Sequence, residues 1–201
     1  MTTLSNEFLS QLPAGAVQQV ASQLGVDANQ AQSAIGMALP LLMGALGKNA
    51  SQPQGAEALL GALSRDHGAS GGINDLLGVV LGGASSRQTD GAGILGHIFG
   101  GNTGQVEQGL GRATGLGGDK AGMLMKILAP IVMAWLAKRL LSGGQSGDAN
   151  ALSAALGGEA RAAQQSGIGG LLGSVLDQDG DGQLGLSDVM KIGSSLLGGK
   201  R

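Results

Sequence analysis

The 201-residue chain has no cysteine and no tyrosine, one tryptophan, two phenylalanines, two histidines and four prolines, and 13% of its residues are charged. The lack of cysteine removes thiol nucleophiles and leaves the redox compartment unread, so the cytoplasm is the default expectation. With three aromatic residues in all, a core must be filled by Leu, Ile, Val, Met and Ala. Its helices must come close together where glycine replaces a side chain. The net charge of −2 gives no long-range positive field to draw the chain onto nucleic acid or an anionic membrane. Residues 1–15 contain no basic residue and no continuous apolar run, so no secretory signal is expected. The most membrane-like run, residues 127–137, is well short of the roughly 20 residues that span a bilayer, so it reads as a buried helix and no transmembrane segment is expected. No sustained alternation of apolar and polar residues occurs, which argues against strands.

What the chain does have is glycine, 40 of 201 residues. No Gly-X-Y period accompanies it, and Leu, Ile, Val and Phe make up about a quarter of the chain, enough for a core and too much for a disordered composition. The chain also repeats itself. Shifted by 90 positions, residues 13–48 align without a gap with residues 103–138, with seven identities: Gln18/Gln108, Gly25/Gly115, Ala31/Ala121, Pro40/Pro130, Met43/Met133, Leu46/Leu136 and Lys48/Lys138. A Gly-Ile-x-x-Leu-Leu-Gly-x-Val-Leu block at residues 72–81 returns at 167–176, and the run from Ile94 to Gly101 returns from Ile192 to Gly199. This predicts two tandem units, 1–101 and 102–201. Within the first, Val17, Val20 and Leu24 follow helical spacing up to Gly25, and Asp27 with Gln30 three residues on opens a second helix as a capping box. Residues 35–46 are apolar on every face, so that helix is central, and Pro40 must kink it or begin a new segment. Residues 56–63 and 73–81 read as shorter helices. The fold expected is all-α, two tandem helical repeats with homeodomain-like (helix-turn-helix-like) cores.

One loop carries chemistry. Residues 177–188 fit the twelve-residue EF-hand calcium loop: Asp177, Asp179 and Asp181 stand at places 1, 3 and 5, Gly182 permits the turn at place 6, Gln183 offers its carbonyl at place 7, and Asp188 closes at place 12. Leu184 would anchor the loop in a core, and Gly185 at place 9 leaves room for water. Four carboxylates within twelve residues repel one another unless a cation neutralises them, so Ca2+ is the expected ligand. Asp188 is one methylene shorter than the usual glutamate, which shifts the balance toward Mg2+. The loop resembles those of dockerin modules, which also close with Asp after a small polar residue, here Ser187. It stands alone in the chain, which favours a stabilising site over a cooperative sensor.

Other constellations have plainer readings. Ala21, Gly25 and Ala31 have helix-turn-helix spacing, but the face that would read DNA offers Asn29, Gln30, Gln32 and Ser33 rather than Arg and Lys, so nucleic acid is not expected as a partner. His67 and His97 lie in no ligand-spaced cluster, and no serine elbow or Walker-type loop occurs, so no catalysis is expected. Met37, Met43, Met123, Met125 and Met133 read as core filler, and Trp135 as the largest core side chain.

The repeated Leu-Gly-Val-Asp opening, the Ala-Leu-Pro-Leu-Leu-Met-Gly-Ala-Leu helix and above all the block Gly91-Ala-Gly-Ile-Leu-Gly-His97-Ile-Phe-Gly-Gly101 resemble an uncharacterised bacterial family of Gly/Leu-rich proteins related to YidB. The resemblance implies an all-helical fold with a homeodomain-like core and no established activity, and the calcium loop is an addition to it. The expectation is thus a non-enzymatic, calcium-binding structural or protein-interaction module with an unknown protein partner. The alternatives are a nucleic-acid-associated protein using the helix-turn-helix-like corner, and a membrane-surface or homo-oligomeric assembly built on the apolar helices.

Overall fold

A computed structural model describes residues 4–67, 78, 79, 82, 89–142 and 149–165; the elements found there are helical, and no strand occurs among the described residues. In chain order they are α1 (Leu4–Gln11), α2 (Ala16–Leu24), α3 (Ala28–Ala50), α4 (Pro53–Ala62), which runs into a π-helical turn (Leu63–His67), α5 (Gly91–Phe99), a 3-10 turn (Gly100–Asn102), α6 (Thr103–Thr114), α7 (Gly118–Ser142) and α8 (Ala149–Gln165). The all-α class is as the sequence predicts.

Local chemistry sets the corners. Helix α2 ends where Gly25 turns left-handed at φ 62°, and α6 ends the same way at Gly115, φ 71°. A residue with a Cβ would cost roughly 1–2 kcal/mol in that conformation. Asp27 then caps α3, its Oδ1 accepting from the Gln30 backbone N–H at 2.8 Å. The Gln30 side-chain amide donates through Nε2 to the Gly115 carbonyl at 3.4 Å. Helices α3 and α7 run through Pro40 and Pro130 without ending. The hydrogen bond each proline forgoes is offset by the continuous apolar flanks, which stay buried only while the helix continues.

Those flanks form the core. Leu39, Leu42, Met43 and Leu46 of α3 and Leu124, Met125, Ile131 and Val132 of α7 are all within 2% of complete burial. Each contributes on the order of 1.5–3 kcal/mol by leaving water. The buried side chains make one cluster running from Leu4 to Leu156, so the expected boundary at Gly101 is no break in the core. Connectivity and packing also cross that boundary. Helix α8 follows α7 in the chain but lies along α3, while the π-turn and α5 of the first half lie on α7. Helix α5 packs chiefly on α7 and also touches α3 and α6, so the Gly91–Phe99 segment is in contact with helices on both sides of Gly101.

The sequence reading predicts no helix before residue 16. Helix α1 forms because its partners are distant in sequence. Phe8, fully buried, meets the Trp135 ring edge-on at 5.5 Å, and Trp135 Nε1 donates to Gln11 Oε1 at 3.1 Å. Arg139 lies over the same indole at 5.9 Å and pairs with Glu7 at 2.5 Å. At the start of α1 the buried Glu159 carboxylate of α8 accepts from the Leu4 N–H and, at 2.8 Å, from the Ser5 hydroxyl. A carboxylate at a helix N-terminus satisfies free N–H groups and opposes the positive end of the helix dipole. Trp135, 2% exposed, is a core residue, as expected.

The span Gly118–Leu140 of α7 is long and apolar enough, by length and composition, to cross a membrane, and 83% of its most apolar window is buried inside the protein.

Candidate functional site

The calcium-loop residues Asp177, Asp179, Asp181, Gln183 and Asp188 lie outside the described residues, as do residues 167–176 and 192–199. Of the segment at 73–81, only residues 78 and 79 are described. Among the described residues no group of three or more His, Asp or Glu side chains is placed to hold a metal. Met43, Met125 and Met133 are core residues as expected, whereas Met123 is 46% exposed and Met37 half-buried, because α7 and α3 turn those positions away from the cluster.

The two helix-turn-helix-like corners face each other. Gln30 at the start of α3 donates to the carbonyl of Gly115, and Lys120 at the start of α7 donates to the carbonyl of Gly25 at 3.0 Å. Residues 30 and 120, like 25 and 115, are 90 positions apart, so the two contacts are reciprocal. Each would-be recognition helix therefore has its N-terminal turn against the opposite corner. A DNA reader needs that turn free for the major groove, and a two-fold reader needs its two recognition helices about 34 Å apart.

A recess lies elsewhere among the described residues, between α4 with its π-turn and α5, and has a volume of about 540 Å3. Two glycine contacts place its walls. A Cβ on Gly91 would fall on the backbone carbonyl of Lys126, so only glycine lets the start of α5 sit against α7. A Cβ on Gly55 would likewise fall on the Asn49 carbonyl, and its absence seats α4 on the end of α3. Asp90 begins α5 by accepting the Gly93 N–H at 2.9 Å. Asn49 ties α3 to the far end of α5 through the Ile98 carbonyl at 3.0 Å.

The recess is apolar within and polar at its mouth. Leu46 and Met133, both buried, form the floor, and the half-buried Leu59, Ile94 and Ile98 line the sides. Arg65, Asp90 and His97 stand exposed at the mouth. Arg65 comes from the π-turn and donates through Nε to the Gly61 carbonyl at 3.1 Å. His97 is exposed on a face of α5 that borders the recess. Lys48, next to Asn49 in the last turns of α3, has its pKa lowered by burial.

The same junction in the other half is closed. The positions related to Leu46, Asn49 and Met133 by 90 residues are Leu136, Arg139 and Met43. There Met43 Sδ receives the Ser5 hydroxyl at 3.5 Å, Arg139 pairs with Glu7, and Glu159 bridges α8 to α1. Sequence reasoning missed the recess because its walls come from four separated segments. The one legible signal was the Asp90-Gly91-x-Gly93 opening, a cap followed by glycines, inside the block that most strongly suggested a family.

A family model described as bacterial protein of unknown function (DUF937) matches residues 6–139, from within α1 to the last turn of α7. No curated protein and no solved structure matches the chain.

Proposed function

Because the chain belongs to this bacterial family of unknown function, whose description assigns no chemistry, we propose a function from its own residues: it is a non-catalytic, calcium-binding helical module serving a structural or protein-interaction role. The observation that carries the reading is the spacing of Asp177, Asp179, Asp181, Gln183 and Asp188 around Gly182, a donor set of hard oxygens suited to Ca2+ and, less well, to Mg2+. The family match ends at residue 139, so the loop is an addition to the shared helical body, in keeping with a relation to the YidB group that lacks it. The reciprocal corner contacts support a duplicated helix-turn-helix-like unit used for packing rather than for reading DNA.

Calorimetric titration of the intact chain with calcium, beside an Asp177→Ala/Asp181→Ala variant and with magnesium as competitor, tests the proposal. One-to-one binding that the variant loses is the expected result. A site that binds only the folded form adds about 2.7 kcal/mol of stability at a calcium concentration a hundredfold above Kd. Absence of both binding heat and a calcium-dependent rise in Tm would reduce the loop to an acidic turn.

A further inference from the structure

The recess between α4 and α5 requires an explanation, because the chain closes the equivalent junction elsewhere. Leu46/Leu136 and Met43/Met133 are the same residue types in both halves, yet one junction is covered by α1 and α8 while, among the described residues, the other leaves a recess of about 540 Å3. The difference lies in the wall opposite. Helix α8 is a continuous 17-residue helix with Leu152 and Leu156 fully buried. Helix α4 stops after ten residues and widens into a five-residue π-turn, leaving Leu59 half-buried. π-Helical turns are rare and concentrate at functional sites. This one keeps Leu63 in the core and sets Arg65 at the mouth of the recess.

We propose that this recess is a binding site for a small amphipathic anion, an apolar chain ending in a carboxylate. Its volume lies inside the roughly 300–1,000 Å3 of small-molecule sites, and its composition follows their pattern of an apolar interior with few polar groups. Leu46, Leu59, Ile94, Ile98 and Met133 give the chain an apolar surface from floor to mouth. The mouth carries one cation, Arg65, and one anion, Asp90, and the anionic head group is assigned from the carboxylate's use as a helix cap. Asp90 is engaged by the Gly93 N–H as the cap of α5. Arg65 uses Nε on Gly61 and presents the rest of its guanidinium, whose paired N–H groups match a carboxylate. His97 adds a ring nitrogen at the same mouth. The site does not involve the calcium loop.

The test is a calorimetric titration of the intact chain, in calcium-free buffer, with decanoate below its micellar concentration, against decyltrimethylammonium as the cation of equal chain length. Saturable one-to-one binding of decanoate and at least tenfold weaker binding of the cation are expected. Arg65→Gln, at an exposed position that leaves the fold intact, should weaken decanoate roughly tenfold. Met133→Trp fills the floor and should abolish binding. Because that buried change risks the fold, Ile94→Trp at the half-buried wall is the parallel variant, with helical circular dichroism and Tm recorded for each. Failure of decanoate to saturate, equal binding of the cation, or unchanged affinity in Arg65→Gln and a folded tryptophan variant would each overturn the proposal. Its failure leaves the calcium reading untouched, since no calcium is present.

Discussion

The contact of Gly91 with α7 allows a sharp test, because a second glycine in the same helix predicts the opposite result. In Gly91→Ala the new methyl falls on the carbonyl group and Cα of Lys126, which are backbone atoms and have no rotamer to retreat into. The start of α5 must then lift from α7, disturbing the contacts of Leu95 and Phe99, both buried. Overpacking of this kind costs about 1–3 kcal/mol. Alanine's helix preference returns little at the first position of a helix, so the net loss is about 2 kcal/mol. For a domain of this size that lowers Tm by about 4–8 °C. Gly96 is exposed in the middle of α5, and a Cβ there meets nothing. Gly96→Ala should therefore gain about 0.5–1 kcal/mol from the lower entropy of the unfolded chain and raise Tm by a few degrees. Thermal and urea unfolding of the two variants beside the parent chain measure both effects. If Gly91→Ala melts at or above the parent, or if both variants shift in the same direction, the close approach of α5 and α7 is wrong.

Other expectations follow from the same packing. Phe8→Ala should cost about 3–5 kcal/mol and shift Trp135 fluorescence to the red, since the ring that shields the indole is removed; an unshifted emission maximum would detach α1 from Trp135. Glu159→Ala leaves the Leu4 N–H and Ser5 hydroxyl buried without their acceptor, a loss of about 1–3 kcal/mol, and hydrogen exchange should rise in α1 before it rises in α3. Lys48 has a pKa below the ordinary 10.5, so its proton is held less tightly in the folded state. Its charge therefore opposes folding at neutral pH, and the effect fades as pH rises through the folded pKa toward that of the unfolded chain. Lys48→Met should be more stable than the parent at neutral pH, with the difference shrinking in alkaline urea titrations; a constant or growing difference would contradict this. Gly115→Ala places a Cβ at φ 71° and should lose roughly 1–2 kcal/mol.

Much of this protein was legible because it is local. Helical spacing of Val20 and Leu24, the left-handed glycines, the Asp27 cap and the unbroken apolar stretch before Lys48 each act through neighbours a few residues away, and the helices α2, α3 and the body of α4 appear where those signals put them. The 90-residue shift located α6 and the greater part of α7 in advance, with Gly115 and Pro130 in the places of Gly25 and Pro40, and did not extend to α8. The EF-hand spacing is also local, which is why the expectation of a metal rests on twelve residues alone.

Tertiary structure decided the remainder. Helix α1 carries only Leu4 and Phe8 as buried apolar residues, too few for a short helix to hold in isolation, and it exists by virtue of Trp135, Arg139 and Glu159, more than 120 residues away. Nothing in the order of segments says that α8 lies on α3 and not on α7 beside it. That choice is made by side-chain fit across the whole core. The recess has the same origin: its floor residues Leu46 and Met133 have counterparts of the same type in Leu136 and Met43, and what is packed opposite them, α1 and α8 at one junction and α4 with its π-turn at the other, differs. By itself the sequence determined where α2, α3, α6 and α7 run and where Gly25 and Gly115 turn the chain, because those depend on spacing along the chain. Which helices touch, and what is left between them, only the tertiary structure decided, because close packing depends on shape matched between segments that sequence spacing does not relate.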